Sequence, residues 1–252
     1  MLHLERARFR YTPFPIGVAP GVFDPGTYKA LLEAYPPLEY FTALPEVGRK
    51  LVLSEKYDGR QYRRFIASTP VWQEFHGWIK SPAFVDAVDE VLQRNLIDVG
   101  LRAYRASAAL RWAKLLRDVF AMGRLPRVHP QLHTRFEFSM LPSDGGCVLP
   151  HTDSPGKLIT LVVSMVAEGE WDPSHGGGTD VNQPRDPRRS YNQLNRNLAF
   201  DEVEVLDTFD FVPNQCVLFV KTFKSLHSVR PIRAPGPRRM RRTLTINIEA
   251  DA

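Results

Sequence analysis

Apolar positions in the first half of the chain recur at three- and four-residue spacing, the period of a helix with one buried face. Residues 27–35 place Leu31, Leu32 and Tyr35 on one such face; Asp24-Pro25 supplies a cap and a first-turn proline, and Pro36-Pro37 ends the run. A second helical region spans 71–96, with Trp72, Phe75, Trp78 and Ile79 in register, then Phe84, Val88, Val91 and Leu92 after Ser81-Pro82. A third, 103–122, is rich in Ala, Leu and Arg and closes at Gly123. Residues 8–18 read as a short strand, and 40–68 as loops with short strands.

From about residue 126 the pattern changes to short alternating or β-branched runs: 133–141, 158–166, 178–181, 203–206, 215–221 and 242–248. Clusters of Gly, Pro, Asp and Asn separate them, as in an antiparallel barrel or sandwich. No low-complexity linker and no repeat divides the chain. We therefore expect one α+β domain over 1–252, with a helical support region of about 1–125 and a β core of about 126–252.

Composition narrows the classes. The 252 residues are 43% hydrophobic and 11% aromatic, which suits a packed core. No apolar run is long enough for a membrane span, and residues 1–8 lack the apolar region of a secretory signal. Cys147 and Cys216 are the only cysteines, too few for a disulfide framework, so a cytoplasmic location is expected. A net charge of +5 favours anionic ligands without arguing for nucleic acid. The basic face of the third helix (Arg105, Arg111, Lys114, Arg117) reads as solvated surface, and His3, His76, His129, His133 and His175 read as ordinary surface or core histidines.

Chemistry concentrates around His151-Thr152-Asp153, just before the run 158–166. In an extended strand, residues i and i+2 share a face, so one strand end presents an imidazole and a carboxylate to one metal ion. A hydrogen-bonded turn is the rival reading of that pair. His227 follows the strand 217–220, and 227 − 151 = 76 positions suffice to circle a barrel and return beside the first pair. Two imidazoles and a carboxylate form the facial triad of non-haem Fe(II) oxygenases. Alternation over 241–247 puts Arg241, Thr243, Thr245 and Asn247 on one face, and a buried guanidinium there calls for an anion such as the far carboxylate of a dicarboxylic co-substrate. With Arg238, Arg239 and Arg242 close by, that choice rests on strand register alone.

Residues 131–249 resemble the Fe(II)/2-oxoglutarate-dependent dioxygenases, specifically their prolyl-4-hydroxylase-like branch. The resemblance lies in ordered motifs: His151-x-Asp153, Glu170-Trp171 with Gly176-Gly177-Gly178-Thr179, Phe211-Val212-Pro213-Asn214, Leu226-His227-Ser228-Val229-Arg230-Pro231 and Arg241-Arg242-Thr243-Leu244-Thr245. It implies a double-stranded β-helix (jelly-roll, cupin-like) packed on N-terminal helices. It implies Fe(II) on His151, Asp153 and His227, with Arg241 on the far carboxylate of 2-oxoglutarate. Thr160, or else Ser164, would help to hold that carboxylate. Two departures stand out: the spacing 241 − 227 = 14 is longer than usual in the family, and Asn247 replaces the second arginine of its nucleic-acid dealkylating branch.

The implied reaction consumes O2 and hydroxylates an unactivated C–H bond, with ascorbate as a supporting reductant. Asp153 argues against the related halogenases, which carry a small residue there. A small metabolite, anionic or amino-acid-like, ranks first as substrate, ahead of a peptidyl substrate of the prolyl type; a non-catalytic cupin-like binding module is the rival from another class. Arg135, Glu137 and Trp171 are candidate substrate contacts, although an exposed strand edge would give Arg135 and Glu137 the same alternation. The segment 171–198, with Arg185, Arg188, Arg189, Tyr191 and Arg196, reads as a lid or as a solvated loop.

Overall fold

A computed structural model describes residues 1–101, 132–192, 194–236 and 239–250. The third helical run, with its basic face, lies outside the described residues, as do His129, Pro237 and Arg238. In chain order the strands are β1 (Arg8–Arg10), β2 (Ile16–Pro20), β3 (Thr42–Leu44), β4 (Lys50–Ser54), β5 (Leu132–Pro142), β6 (Val148–His151), β7 (Lys157–Ser164), β8 (Thr179–Pro184), β9 (Val203–Phe209), β10 (Gln215–Val220), β11 (His227–Val229) and β12 (Met240–Ala250). Among the described residues, four helices lie between β2 and β5: α1 (Pro25–Glu33), α2 (Gly59–Ser68), α3 (Pro70–Ile79) and α4 (Pro82–Arg94).

Local chemistry explains the helices. The Asp24 carboxylate accepts the Thr27 N–H, and Pro25 opens α1 where its missing N–H costs nothing. Ser81-Pro82 splits the second helical region into α3 and α4. Helix α2 occupies part of 40–68, where only loops and short strands were expected. Asp58 caps it through the Gln61 N–H, and Tyr62, Phe65 and Ile66 are buried. Three apolar positions among arginines make a weak stripe, and its helical state depends on the tertiary surface beneath it.

The strands form an eight-stranded sheet, ordered β1-β2-β10-β7-β12-β5-β4-β3, and a four-stranded sheet, ordered β6-β11-β8-β9, with every pairing antiparallel. From β5 onward the chain passes between the two: β5, β7, β10 and β12 lie in the large sheet, and β6, β8, β9 and β11 in the small one. This alternation is the double-stranded β-helix, a jelly roll. The first half adds more than helices, since β1 and β2 extend one edge of the large sheet and β4 and β3 the other. The single short strand expected over 8–18 is the β1–β2 antiparallel pair.

One face of the large sheet carries Phe136, Phe138, Leu161, Val163, Leu244, Ile246 and Ile248 into the core against the helices. Trp72 is fully buried there, its ring 4.7 Å from that of Phe138 and its Nε1–H donated to the Ala34 carbonyl. Each large apolar side chain so buried contributes roughly 1.5–3 kcal/mol. The opposite face turns Ser139, Leu141, Thr160, Val162, Arg241, Thr243 and Thr245 into a cavity of about 110 Å³ beneath the small sheet. Both cysteines are free, and no helix among the described residues is long and apolar enough to cross a membrane.

Candidate metal centre

Two short strands bring the histidines together. β11 pairs with β6 so that His227 stands directly opposite His151, and the ring centroids are 4.4 Å apart. His227 also packs against Phe219 of β10, with centroids 4.3 Å apart. The Nδ1 atom of each ring lies 2.9 Å from a carbonyl two residues earlier, Leu149 for His151 and Ser225 for His227. Donation from Nδ1–H to these carbonyls fixes the tautomer and leaves each Nε2 lone pair facing the centre.

Asp153 arrives differently from the expected strand alternation. β6 ends at His151, and Asp153 has φ of 72°, in the left-handed region that aspartate tolerates better than most residues. Its carboxylate therefore returns to the histidines from a turn. Oδ1 lies 3.5 Å from Nε2 of His151, and Oδ2 lies 4.0 Å from Nε2 of His227. One donor atom from each of the three residues falls within 4.8 Å of the others.

The turn is held from the segment 171–198, which is neither a free lid nor wholly a loop. β8 occupies its middle, and its last part grips the residue between the two first ligands. Asn195 Oδ1 accepts the Thr152 N–H at 3.1 Å, the Asn192 carbonyl accepts the Thr152 hydroxyl at 2.9 Å, and the Leu198 N–H is donated to the Pro150 carbonyl.

Burial works against charge at this centre. Burial alone would raise the Asp153 carboxyl, but the Lys157 ammonium, 2.5 Å from Oδ1, together with His151 and His227, holds it well below the usual range. Burial, reinforced by His151, pushes His227 down to about 3, so this ring is neutral, as a metal ligand must be.

Thr160 lines the cavity, but its hydroxyl lies 3.0 Å from Asp153 Oδ2 and 2.9 Å from Asn247 Oδ1. It therefore supports a candidate metal ligand. Ser164, at the far end of β7 opposite Thr243, does not line the cavity.

Arg241 lies elsewhere along the same cavity, buried, with its guanidinium 4.3 Å from the centroid of the Phe211 ring. Its Nε–H is donated to the Gly177 carbonyl at 2.5 Å. It forms no ion pair with any described carboxylate. Burial lowers it, to about 9, which still leaves it cationic near neutrality. Arg242 points the other way: both Glu170 carboxylate oxygens accept from its Nη2, and it lies over the Tyr35 ring.

Gly177, with φ of 85°, is where the glycine run matters. A Cβ there would lie 3.1 Å from Cδ of Arg241 and 3.1 Å from the Trp171 ring. Trp171 itself belongs to a buried cluster with Leu141, Val166, Phe211, Val229 and Ile232, and it does not line the cavity. Nor does Arg135, which pairs with Glu249 at 3.2 Å. Glu137 is buried in an ion pair with Lys50 at 2.7 Å, and of the two only Lys50 lines the cavity. Lys50 and Lys157 are site residues that the sequence reading missed. The i, i+4 spacing of Asp153 and Lys157 was a visible signal for one of them, whereas Lys50 comes from a strand remote in sequence.

No family model matches the sequence, and no curated protein matches it. Among solved structures, the chain is similar to a prolyl hydroxylase from Trichoplax adhaerens in complex with a hypoxia inducible factor peptide fragment. That match has 13% identity, covers 93% of this chain and 83% of that one, and has a TM-score of 0.48. A Pseudomonas putida prolyl-4-hydroxylase matches at 14% identity over 94% and 92% of the two chains, with a TM-score of 0.48. The non-heme alpha ketoglutarate dependent epimerase SnoN from nogalamycin biosynthesis matches at 15% identity over 95% and 80%, with a TM-score of 0.47. These similarities concern the chain fold alone.

Proposed function

We propose that the chain is an Fe(II)- and 2-oxoglutarate-dependent oxygenase that hydroxylates an unactivated C–H bond of a small molecule. One observation carries this reading: a single cavity is lined both by two imidazoles with a carboxylate and by a buried arginine without a carboxylate partner among the described residues. The donor set fits Fe(II), because both Nε2 atoms face the carboxylate while both Nδ1 atoms are tied to carbonyls.

His151, Asp153 and His227 would hold the metal, and Arg241 the C5 carboxylate of 2-oxoglutarate. When bound, the ion supplies open coordination positions where the co-substrate and O2 meet, and with them the oxidising chemistry. Overall, one substrate C–H, one 2-oxoglutarate and one O2 give one C–OH, succinate and CO2. The protein's own residues orient and exclude. Thr160 and Lys157 fix the Asp153 carboxylate, Gly177 and Phe211 seat the Arg241 guanidinium, and Phe219 closes apolar surface against His227.

A peptidyl substrate is the second reading. It is favoured by the exposed Tyr191 and Phe223 rings, tilted against each other with centroids 4.5 Å apart, Tyr191 lying on the segment that grips Thr152. Anaerobic titration with Fe(II) and 2-oxoglutarate should develop a metal-to-ligand charge-transfer band. Succinate release against a panel of metabolites and peptides should then separate the two substrate classes. Absence of both the band and succinate would sink the oxygenase reading and leave a cupin-like binding module.

A further inference from the structure

The register of β4 on β5 brings a lysine into the cavity. Leu51 stands opposite Met140 and Val52 opposite Ser139, so Lys50 falls beside Leu141, whose neighbour on the other side, in β12, is Arg241. Lys50 and Arg241 thus flank Leu141 on the cavity face, two strands and about 10 Å apart at the main chain. Their heads diverge. The Lys50 ammonium reaches along β5 to the Glu137 carboxylate at 2.7 Å, and Glu137 stands opposite Thr245, four residues beyond Arg241. β7 continues that row, with Val162 opposite Thr245, and with Thr160, whose hydroxyl is donated to Asp153, opposite Asn247. Arg241 therefore serves one end of the cavity, while the Lys50 ammonium leans toward the end that holds the candidate metal ligands.

Glu137 supports this lysine without reaching the cavity, which Lys50 alone of the pair lines. Glu137 accepts from one of the three ammonium N–H donors, and the other two have no acceptor among the described residues. Donors left in a largely buried position call for an acceptor from a bound molecule. In the oxygenase reading, on which this assignment rests, the Arg241 guanidinium is taken by the far carboxylate of 2-oxoglutarate, so Lys50 is left for the substrate. Charge selects the group. An ammonium already shared with Glu137 suits a singly charged carboxylate, whereas a phosphate dianion brings more charge than it can meet. We propose that Lys50 binds a carboxylate of the substrate and so restricts the enzyme to small carboxylic acids. Glu137, expected from the sequence to touch the substrate, instead positions the lysine that does.

The test titrates acetate and acetamide, one shape with and without charge, into the full chain loaded with Mn(II) and N-oxalylglycine. Broadening of the probe's methyl proton resonance by the paramagnetic ion reports binding beside the metal. Acetate should bind about tenfold or more tightly than acetamide, the worth of a charge-assisted hydrogen bond. Lys50→Met should remove that preference and Lys50→Arg should keep it. Lys50→Met leaves Glu137 buried without its partner, so the double variant K50M/E137Q, which removes both charges together, should lose the preference as well and separates binding from misfolding. An equal preference in wild type and K50M/E137Q, or no preference in the loaded wild type, overturns the proposal. Failure of Mn(II) and N-oxalylglycine to bind overturns the oxygenase reading instead. Acetate is then titrated into metal-free Arg241→Met protein with and without Lys50→Met, where equal affinities would overturn the assignment of Lys50 too.

Discussion

From its left-handed turn, the Asp153 carboxylate meets two imidazoles, an ammonium and a hydroxyl, and no other described residue faces so many polar partners at the candidate centre. Asp153→Ala should abolish metal binding, read by Mn(II) titration; undiminished affinity would remove it from the ligand set. Gly177→Ala should strain a backbone held at φ of 85° and push on Arg241, costing about 1–3 kcal/mol and weakening 2-oxoglutarate binding while sparing metal affinity. Acidification tests the same residues. His227 is held to about 3 in the fold against about 6.5 in the unfolded chain, so the unfolded state binds more protons between those values. Stability therefore rises with pH across that window and falls on acidification. The lowered Asp153 and Glu137 add to the loss at more acid pH, once pH falls through their unfolded values. Urea denaturation of the metal-free protein should show stability dropping from about pH 6.5 downward, by at most about 1.4 kcal/mol per unit for each group. A flat profile there would mean that His227 is not buried neutral. Residue types and spacing made His151, Asp153, His227 and Arg241 legible as candidates. The conformation of Asp153 was not legible, because positive φ in an aspartate leaves no mark on spacing, and neither was Lys50, whose partner Glu137 is 87 positions away.

At the scale of elements, β5 and β12 are built with two unlike faces, and their alternation was readable because each is long and one face is apolar. β6 and β11, of four and three residues, carry too few alternations to announce themselves, yet they position both histidines. Helix α2 escaped notice because its apolar stripe is only three residues wide. Register in β12 is the element-level claim most open to test. Arg241→Met should weaken 2-oxoglutarate binding. Arg242→Met should leave it unchanged, losing the partly exposed Glu170 pair, worth about 1 kcal/mol at most, and the contact over the Tyr35 ring. The reverse outcome would place the wrong arginine in the cavity. On the other face of β5, Phe138→Ala should cost about 3–5 kcal/mol in denaturation, because the ring is wholly buried against Trp72.

For the whole molecule, the division into a helical first half and a strand-rich second half was evident in the hydrophobic periods. The wrapping of the large sheet by four strands of the first half was not, since edge pairing depends on partners distant in sequence. Those strands make both halves parts of one sheet, with a core on its helix side and the cavity of the candidate metal centre on the other. The facing of His151 by His227 has a further consequence, which concerns the order of events in folding. The two residues lie 76 positions apart, with all of β7 to β10 between them in the chain. Contacts that close such long loops form slowly and late. In refolding experiments, the ability to capture Mn(II) should therefore lag behind recovery of far-ultraviolet circular dichroism, so that the ion acts as a clock for completion of the barrel.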